Sequence, residues 1–414
     1  MSRRGVYCFQ CLVIVVVLSA VPTFVSAQVP LWARQFGSAA GDAATGVAVH
    51  ANDVYVVGST TGELPGQVHV GHFDAYIRKY DTTGNELWTR QFGTVFLDGL
   101  SAVTVHGAYI YAGGTVGDAL PGQTNAGNND AFLRKYDQNG NEVWTRQFGS
   151  ADTDFVNGIA GVGDGIYVVG GTLGTLPGQI GGGLDDAFIR KYDINGNEVW
   201  TRQFGTSAPD VAFAVAAQDT GIYVVGMTSG QLSGQVNIGS FDAFIRKYDS
   251  EGNEVWTRQF GTANEDAAYS VSAAAQRIYV AGYTFGTLPG QASAGGRDAF
   301  ARSYDKDGNE IWTNQFGTVD EDYARAISAL PNGIFVTGAT DGTLAGQVNA
   351  GAFDAFARSY DRHGNELWTM QFGANLNDEG AAVAAAETGI YVAGTTGGTF
   401  PDAFIVKFTN KGRN

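Results

Sequence analysis

Residues 205–260 read GTSAPDVAFAVAAQDTGIYVVGMTSGQLSGQVNIGSFDAFIRKYDSEGNEVWTRQF, and this stretch decides the fold. Its tryptophan, Trp256, has counterparts at a constant spacing of 56 residues: Trp32, Trp88, Trp144, Trp200, Trp312 and Trp368. A strict period of this length indicates a repeat array, in which each unit buries its apolar face only by stacking against its neighbours. The sequence therefore predicts seven copies of one structural unit.

Each unit contains four short apolar segments that are separated by turn residues. In the quoted stretch they span residues 211–217, 222–225, 242–248 and 254–260. Segments of this length, with glycine at nearly every junction, are typical of β-strands and too short for helices. Four strands per unit and seven units predict an all-β fold, a seven-bladed β-propeller with four antiparallel strands in each blade.

The third and fourth strands of a unit are joined by Asp249-Ser250-Glu251-Gly252-Asn253. An aspartate followed three residues later by a glycine predicts a type I turn with a G1 bulge, and hence a tight antiparallel hairpin. Counting outward from this turn places Arg246 opposite Trp256. We therefore expect the guanidinium to stack on the indole.

The first strand of each unit is expected to lie innermost, because two positions on one of its faces hold only small residues. Only small side chains fit where seven blades converge on an axis, whereas Trp and Phe of the fourth strand suit the wide perimeter. The two sets of small residues are Gly46, Ala102, Gly158, Ala214, Ser270, Ala326 and Ala382, and then Ala48, Thr104, Ala160, Ala216, Ser272, Ser328 and Ala384.

Neither end of the repeat array is a complete unit. Residues 31–36 form a lone fourth strand, and the chain finishes with strands one to three, the last of them at 403–408. Together the two ends make one unit. We expect the N-terminal strand to complete the last blade and close the ring without a free sheet edge.

The units resemble the bacterial secreted β-propeller repeat that is abbreviated SBBP. The resemblance rests on a Trp, then Phe-Gly-Thr, an Asp, a small-residue strand, Ile-Tyr-Val-Val-Gly and Asp-Ala-Phe-Ile-Arg-Lys-Tyr-Asp. It covers the whole chain after residue 27 in seven copies. It implies a propeller in a secreted or cell-surface protein, and it implies little about activity.

Residues 1–27 have the pattern of a signal peptide. Arg3 and Arg4 supply the positive charge, residues 11–25 are almost wholly apolar, and Val25-Ser26-Ala27 offers small residues at a cleavage site. Cleavage after Ala27 would release residues 28–414 as one secreted domain without stable membrane insertion. The alternative is a segment that is retained as a membrane anchor.

Composition excludes several classes of function. Cys8 and Cys11 both lie within residues 1–27, so the secreted domain has no thiol for catalysis, metal binding or a disulfide. Loss of Arg3 and Arg4 leaves 23 basic and 41 acidic residues, a net charge of −18. Such a surface repels phosphate backbones and excludes nucleic acid as a partner. We expect a monomeric protein.

Two aspartates recur in every unit, before the first strand and before the third. Both positions fall on the same face of a propeller, so they predict two acidic rings. We interpret them as structural, each carboxylate accepting N–H bonds in its own loop; cation binding or a polyvalent site is the alternative. The rings are Asp42, Asp98, Asp154, Asp210, Asp266, Asp322 and Asp378, and Asp74, Asp130, Asp186, Asp242, Asp298, Asp354 and Asp402.

Histidines are few, and His69 and His72 are the two that lie close together in sequence. They fall in a link on the face of the aspartate rings, where Gly71 could bring their imidazoles together as a metal pair. No third ligand is evident and no Ser/His/Asp set can be assembled. We therefore expect no metal, no cofactor and no catalytic residue.

Function is expected where the units differ. One position in the innermost strand reads Thr45, Ser101, Asn157, Phe213, Tyr269, Arg325 and Ala381, although the position two residues on is always Val or Ile. The preceding links vary as well. A ligand over the channel mouth would meet these side chains first, although relaxed constraint at exposed positions gives the same variation. The candidate ligand-binding residues are Asn157, Phe213, Tyr269, Arg325, Asp152, Asp320 and Glu321.

The link between the second and third strands is irregular in the last unit only. Six units carry a Leu-x-Gly-Gln link, as in Leu288-Pro289-Gly290-Gln291, whereas the seventh runs from Phe400-Pro401 directly to Asp402, eight residues shorter. The shortening predicts a notch that a partner enters, in contact with Phe400, His69 and His72. The alternative is that a shorter link simply eases ring closure.

These patterns predict a secreted, non-catalytic binding or interaction module whose ligand, a protein or a carbohydrate, docks on the acidic face and channel mouth. Two other classes stay open. One is a polyvalent lectin with a sugar pocket in each blade. The other is an enzyme acting on carbohydrate or polyanions at the mouth, for which no acid/base pair is identifiable.

Overall fold

A computed structural model describes residues 29–410, and the predicted signal peptide, residues 1–27, lies outside them. The described chain forms 28 strands, β1–β28, and no helix. They are β1 (Trp32–Phe36), β2 (Asp42–His50), β3 (Asp53–Thr60), β4 (Asp74–Asp81), β5 (Glu86–Phe92), β6 (Gly99–His106), β7 (Tyr109–Val116), β8 (Asp130–Tyr136), β9 (Glu142–Phe148), β10 (Asp154–Val162), β11 (Gly165–Thr172), β12 (Asp186–Asp193), β13 (Glu198–Phe204), β14 (Asp210–Gln218), β15 (Gly221–Thr228), β16 (Asp242–Tyr248), β17 (Glu254–Phe260), β18 (Asp266–Ala274), β19 (Arg277–Thr284), β20 (Asp298–Asp305), β21 (Glu310–Phe316), β22 (Asp322–Leu330), β23 (Gly333–Thr340), β24 (Asp354–Tyr360), β25 (Glu366–Phe372), β26 (Glu379–Ala386), β27 (Gly389–Thr396) and β28 (Asp402–Phe408).

The strands form seven antiparallel sheets of four, and each sheet is one blade of a propeller. Blade 1 is β2–β5, blade 2 is β6–β9, and the series continues to blade 6, β22–β25. Blade 7 has the order β1-β28-β27-β26, with Trp32 opposite Lys407 and Phe36 opposite Ala403. The predicted closure of the ring by the N-terminal strand is therefore confirmed.

The first strands of neighbouring blades contact one another around the whole ring, so they line its centre. Their small residues permit this approach: a Cβ added to Gly158 would lie 2.9 Å from the Cα of Ala214 in the next blade. Larger side chains fill the space farther out. Phe204 of blade 3 meets Phe244 of blade 4 edge to face, with ring centroids 5.9 Å apart.

The turn between the third and fourth strands has the predicted form, but one predicted contact is wrong. Gly252 has φ of +80°, and its N–H bonds to the Asp249 carbonyl. The bulge at this turn shifts the register by one residue, so Trp256 lies opposite Lys247 instead of Arg246. Arg246 stacks on Phe204 of the preceding blade, 4.3 Å from the ring centroid.

The links that join the strands divide between the two faces of the ring. The link from the second to the third strand of a blade (the 2–3 link) and the link from the fourth strand to the next blade's first strand (the 4–1 link) bond to each other. In blade 4, for example, the N–H of Ser229 in the 2–3 link donates to the carbonyl of Pro209 in the 4–1 link. These links make up the face that carries the aspartates and the channel mouth.

Candidate functional site

Every innermost strand contains a β-bulge at the position that varies between the units. In blade 5, Ala268 pairs with Gly282 and Ser270 with Ala281, so Tyr269 between them has no partner. A bulge leaves the extra residue outside the ladder and redirects its side chain. The residues at this position, called the bulge residues below, are Thr45, Ser101, Asn157, Phe213, Tyr269, Arg325 and Ala381.

The bulge residues of blades 1 and 3 are held by the backbone of the following blade. The Thr45 hydroxyl donates to the Leu100 carbonyl at 2.6 Å, and the Asn157 side-chain amide donates to the Ala212 carbonyl at 3.0 Å. Asn157 was a candidate ligand-binding residue. The structure places its amide in a bridge between blades 3 and 4.

The bulge residues of blades 4 to 6 meet in one group. Phe213 and Tyr269 lie edge to face with centroids 4.9 Å apart, and the Arg325 guanidinium lies 4.7 Å from the Tyr269 ring centroid. Two neighbours join them: Tyr283, with its ring 5.3 Å from that of Tyr269, and Tyr323, 4.8 Å from the Arg325 guanidinium. We call these five residues the mouth cluster.

Charged residues border the mouth cluster on both sides. Arg325 forms an ion pair with Glu379 of blade 7, and these side chains are 36% and 31% exposed. Arg297 pairs with Glu321 at 3.3 Å and stacks on Tyr283 at 4.6 Å. The candidate Glu321 therefore joins the edge of the cluster through Arg297. The candidates Asp152 and Asp320 lie exposed in the 4–1 links.

Sequence reasoning missed Tyr283, Tyr323, Arg297 and Glu379, although a signal for them exists. Each occupies a position whose residue differs from unit to unit. The position of Tyr283, for example, holds Ser59, Gly171 and Met227 in other units. What the sequence does not show is that these varied positions meet in and around the mouth cluster.

The electrostatics of the cluster favour neutral phenols beside one charged guanidinium. Burial raises the pKa of Tyr323 to about 12, and burial with the hydrogen bond to Glu265 raises the pKa of Tyr283 well above its usual range. Burial opposes the charge on Arg325, but Glu379 together with the Tyr269 and Tyr323 phenols outweighs it and raises the pKa of the guanidinium. Such a group can stack on a ring and donate hydrogen bonds.

The two acidic rings form seven pairs, each located where one blade meets the next. In the pair of Asp242 and Asp266, a Cβ on Gly261 would lie 2.8 Å from one carboxylate and 2.6 Å from the other. Asp242 accepts the N–H groups of Ile238 and Gly239. Asp266 accepts the N–H and hydroxyl of Thr262. Both carboxylates are thus engaged within the protein's own links.

Burial, together with the neighbouring aspartate of each pair, raises the pKa of most carboxylates before the first strand. The six that show it are Asp98, Asp154, Asp210, Asp266, Asp322 and Asp378. These carboxylates lie in a poor environment for an unpaired negative charge.

His69 and His72, the candidate metal pair, lie in different environments. His69 Nδ1 lies 3.2 Å from Asp74 Oδ2 of its own blade, whereas His72 is exposed. Within residues 29–410, no group of three or more His, Cys, Asp or Glu side chains is suited to a metal ion.

The notch of the last unit takes the form of a cavity of about 530 Å³ between blades 6 and 7. Tyr323 and Phe353 line it from blade 6, and Gly397, Gly398 and Pro401 line it from the short link. The prediction that His69 and His72 border it is wrong, because the cavity opens toward blade 6 instead of blade 1. Phe400 does not line it either and is 63% exposed.

Comparison with known proteins supports the fold and leaves the family open. No family model matches the chain. The WD40 domain of Neurospora crassa Pan2 superposes with a TM-score of 0.52 at 10% identity, covering 92% of this chain and 96% of that one. The WD40 propeller of Doa1 covers 92% and 98%, with a TM-score of 0.48 at 10% identity. The seven four-stranded sheets, together with the likeness to the Pan2 domain, make this protein a seven-bladed β-propeller.

One curated protein matches part of the sequence. The regulatory protein FlaEY of Caulobacter vibrioides is 28% identical over 178 residues, which is 39% of this chain and 19% of that protein's length. The match therefore spans about a fifth of FlaEY. Within residues 29–410, the structure contains no helix long and apolar enough to cross a membrane.

Proposed function

We propose that this protein is a secreted, non-catalytic binding module whose ligand docks at the channel mouth over blades 4 to 7. The mouth cluster is the observation that carries the proposal. Aromatic and arginine side chains dominate binding energy at recognition sites because they offer large ring faces and several donors. In the mouth cluster Tyr283 is buried, the other four residues are half-buried, and all are held by one another, so little side-chain entropy is lost on binding.

Binding suits the chemistry of the cluster better than catalysis does. A general acid or base works best with a pKa near the operating pH. Here Tyr283 and Tyr323 stay protonated at neutral pH, and the charge of Arg325 is neutralised by Glu379. These groups can position a sugar ring or a protein side chain.

Secretion is supported by residues 1–27 and by the resemblance of the units to the SBBP repeat. The acidic composition suits a soluble extracellular domain, and we propose that it is monomeric. Expression of the full chain followed by N-terminal sequencing of the exported product tests this part. A product that begins at Gln28 supports it, and a product that retains residues 1–27 in the membrane fraction contradicts it.

The binding site is tested with two matched pairs of substitutions. The wild-type domain, the double variant Tyr269→Ala/Arg325→Ala and the control Thr45→Ala/Ser101→Ala are applied to a glycan array and to the extracellular proteins of the source organism. We expect any ligand bound by the wild type and the control to be lost from the Tyr269→Ala/Arg325→Ala variant. Equal binding by all three, or turnover of a bound oligosaccharide, contradicts the proposal. Seven binding sites per chain would favour a polyvalent lectin.

A further inference from the structure

Six blades share a clamp between the 2–3 link and the fourth strand. In blade 5, the N–H of Leu288 donates to Gln315 Oε1 at 2.9 Å, and the N–H of Gln315 donates to Gln291 Oε1 at 3.0 Å. The link itself is a tight turn, since the N–H of Gln291 bonds to the Leu288 carbonyl and Gly290 has φ of +74°. This is the geometry of a type II turn, with proline second and glycine third.

The clamp also fixes a leucine and an aspartate. Leu288 is 1% exposed and packs into the apolar cluster between blades 4 and 5. Six residues after it, the N–H of Ala294 donates to Asp298 Oδ2 at 2.9 Å. The same contacts recur in all six blades, whose leucines are Leu64, Leu120, Leu176, Leu232, Leu288 and Leu344.

Blade 7 has the fourth-strand glutamine of this clamp but lacks the 2–3 link that the glutamine would bind. Gln35 stands where Gln315 does, and its side-chain amide donates to Asp402 as in the other blades. Among residues 29–410, however, nothing bonds to the Gln35 N–H or Oε1, and no link N–H bonds to Asp402. Gln35 is exposed and Asp402 is half-buried, although the six equivalent aspartates are buried.

The apolar part of the clamp is missing at the same junction. Of the seven apolar clusters between blades in residues 29–410, only the one between blades 6 and 7 contains no link leucine. Phe400, at the sequence position of that leucine, points to solvent because Pro401 must lead directly into Asp402. The cavity of about 530 Å³ opens at this junction.

We propose that the notch of blade 7 binds a Leu-x-Gly-Gln segment of another polypeptide, which supplies the missing link in trans. The six links within the chain show how each group is used. The segment's leucine enters the junction of blades 6 and 7 and donates its N–H to Gln35 Oε1. Its glutamine accepts the Gln35 N–H, and an N–H six residues after the leucine binds Asp402.

Residues 1–414 contain no free segment of this kind. Neither residues 1–28 nor residues 411–414 contain a leucine followed three residues later by glutamine. In a second copy of this protein, all six such segments are already held by their own blades, so a copy would have to break a clamp to supply one. The partner is therefore a protein that carries an unengaged Leu-x-Gly-Gln turn.

A labelled peptide tests the proposal directly. The probe has the sequence of residues 286–294, GTLPGQASA, and its binding to the 28–414 domain is followed by fluorescence polarisation. We expect saturable binding of one peptide per chain, at least about tenfold weaker when the peptide's leucine is replaced by alanine. Gln35→Ala should weaken binding similarly. Its matched control Gln91→Ala, at the occupied position of blade 1, should not.

A second variant fills the notch within the chain. Replacing residues 399–401 by residues 287–297 restores a full-length link, and we expect it to abolish peptide binding; if this variant does not fold, Gln35→Ala and the alanine peptide still decide. Undiminished binding to a folded graft, or equal affinity for both peptides, would overturn the proposal. A dimer of the wild-type domain that the grafted variant no longer forms would also overturn the proposal. The variant Phe213→Ala, at the end of the mouth cluster that does not line the cavity, should bind the peptide normally, which separates this site from the channel mouth.

Discussion

The aspartate pairs and the bulge residues lie on the same face of the ring, and both occur seven times, yet they differ in what surrounds them. The aspartates are identical in every unit, and all except Asp402 accept N–H groups of their own links. The bulge residues share one backbone geometry but carry different side chains, three of which meet in the mouth cluster. Repetition marks the residues that build the ring, and we propose that departures from it mark the surface available to a ligand.

The largest effect is expected at a repeated aspartate. Asp242→Ala leaves the N–H groups of Ile238 and Gly239 and the amide of Gln259 without their acceptor, and should lower the free energy of unfolding by about 3 kcal/mol. Denaturant unfolding measures it. The control Asp320→Ala, at an exposed candidate residue, should change stability by less than about 0.5 kcal/mol. Equal losses in the two variants would remove the distinction between repeated and varied positions.

A smaller change in stability is expected at a bulge residue. Arg325→Ala removes a partly exposed ion pair and the ring contacts of Tyr269 and Tyr323, so we expect a loss of about 1 kcal/mol. Ser101→Ala, at the same bulge in blade 2, should be close to neutral. Thermal unfolding of both variants checks this. A loss at Arg325 as large as that at Asp242 would mean that the mouth cluster is part of the scaffold.

The smallest effect is a dependence on pH that has opposite signs at two kinds of aspartate. Burial raises the pKa of Asp266, so its contribution to stability is present below the ordinary aspartate pKa of about 4 and is lost as the pH rises through the raised value. Hydrogen bonds from Asn141 lower the pKa of Asp137 in a turn on the other face. Its contribution is present above about pH 4 and is lost as the pH falls.

The two asparagine variants should therefore behave differently. The stability difference between wild type and Asp266→Asn should shrink as the pH rises from about 4 to 7, because the wild type then carries a buried charge. For Asp137→Asn the difference should shrink as the pH falls below about 4. Urea unfolding across this range measures both. The same sign for both variants would show that the paired carboxylates are not in the buried environment described above.

Much of the fold could be predicted from the sequence because the information is repeated. The spacing from Trp32 to Trp368 predicted the number of blades, and the incomplete units at the two ends predicted how the ring closes. Small residues such as Ala214 predicted the innermost strand. Each of these inferences depends on side-chain size or on spacing, and both features recur in all seven units.

The register and the candidate site were less predictable, because both depend on bulges. A bulge beside the 3–4 turn moved Arg246 away from Trp256 by one residue. The bulges in β18 and β22 turn Tyr269 and Arg325 out of their ladders and toward each other. The notch was predicted from the missing eight residues, but which neighbour borders it depends on the direction in which the 2–3 links run, and this direction is visible only in the folded ring.

A titration of the bulge variants against one ligand tests the central claim most directly. The strongest ligand from the glycan array or the extracellular proteins is titrated calorimetrically into the wild type, Tyr269→Ala and Ser101→Ala. We predict one site per chain, affinity reduced at least about tenfold by Tyr269→Ala, and no change with Ser101→Ala. Seven sites per chain, or an equal loss in the two variants, would contradict the claim that the ligand is bound at the mouth over blades 4 to 7.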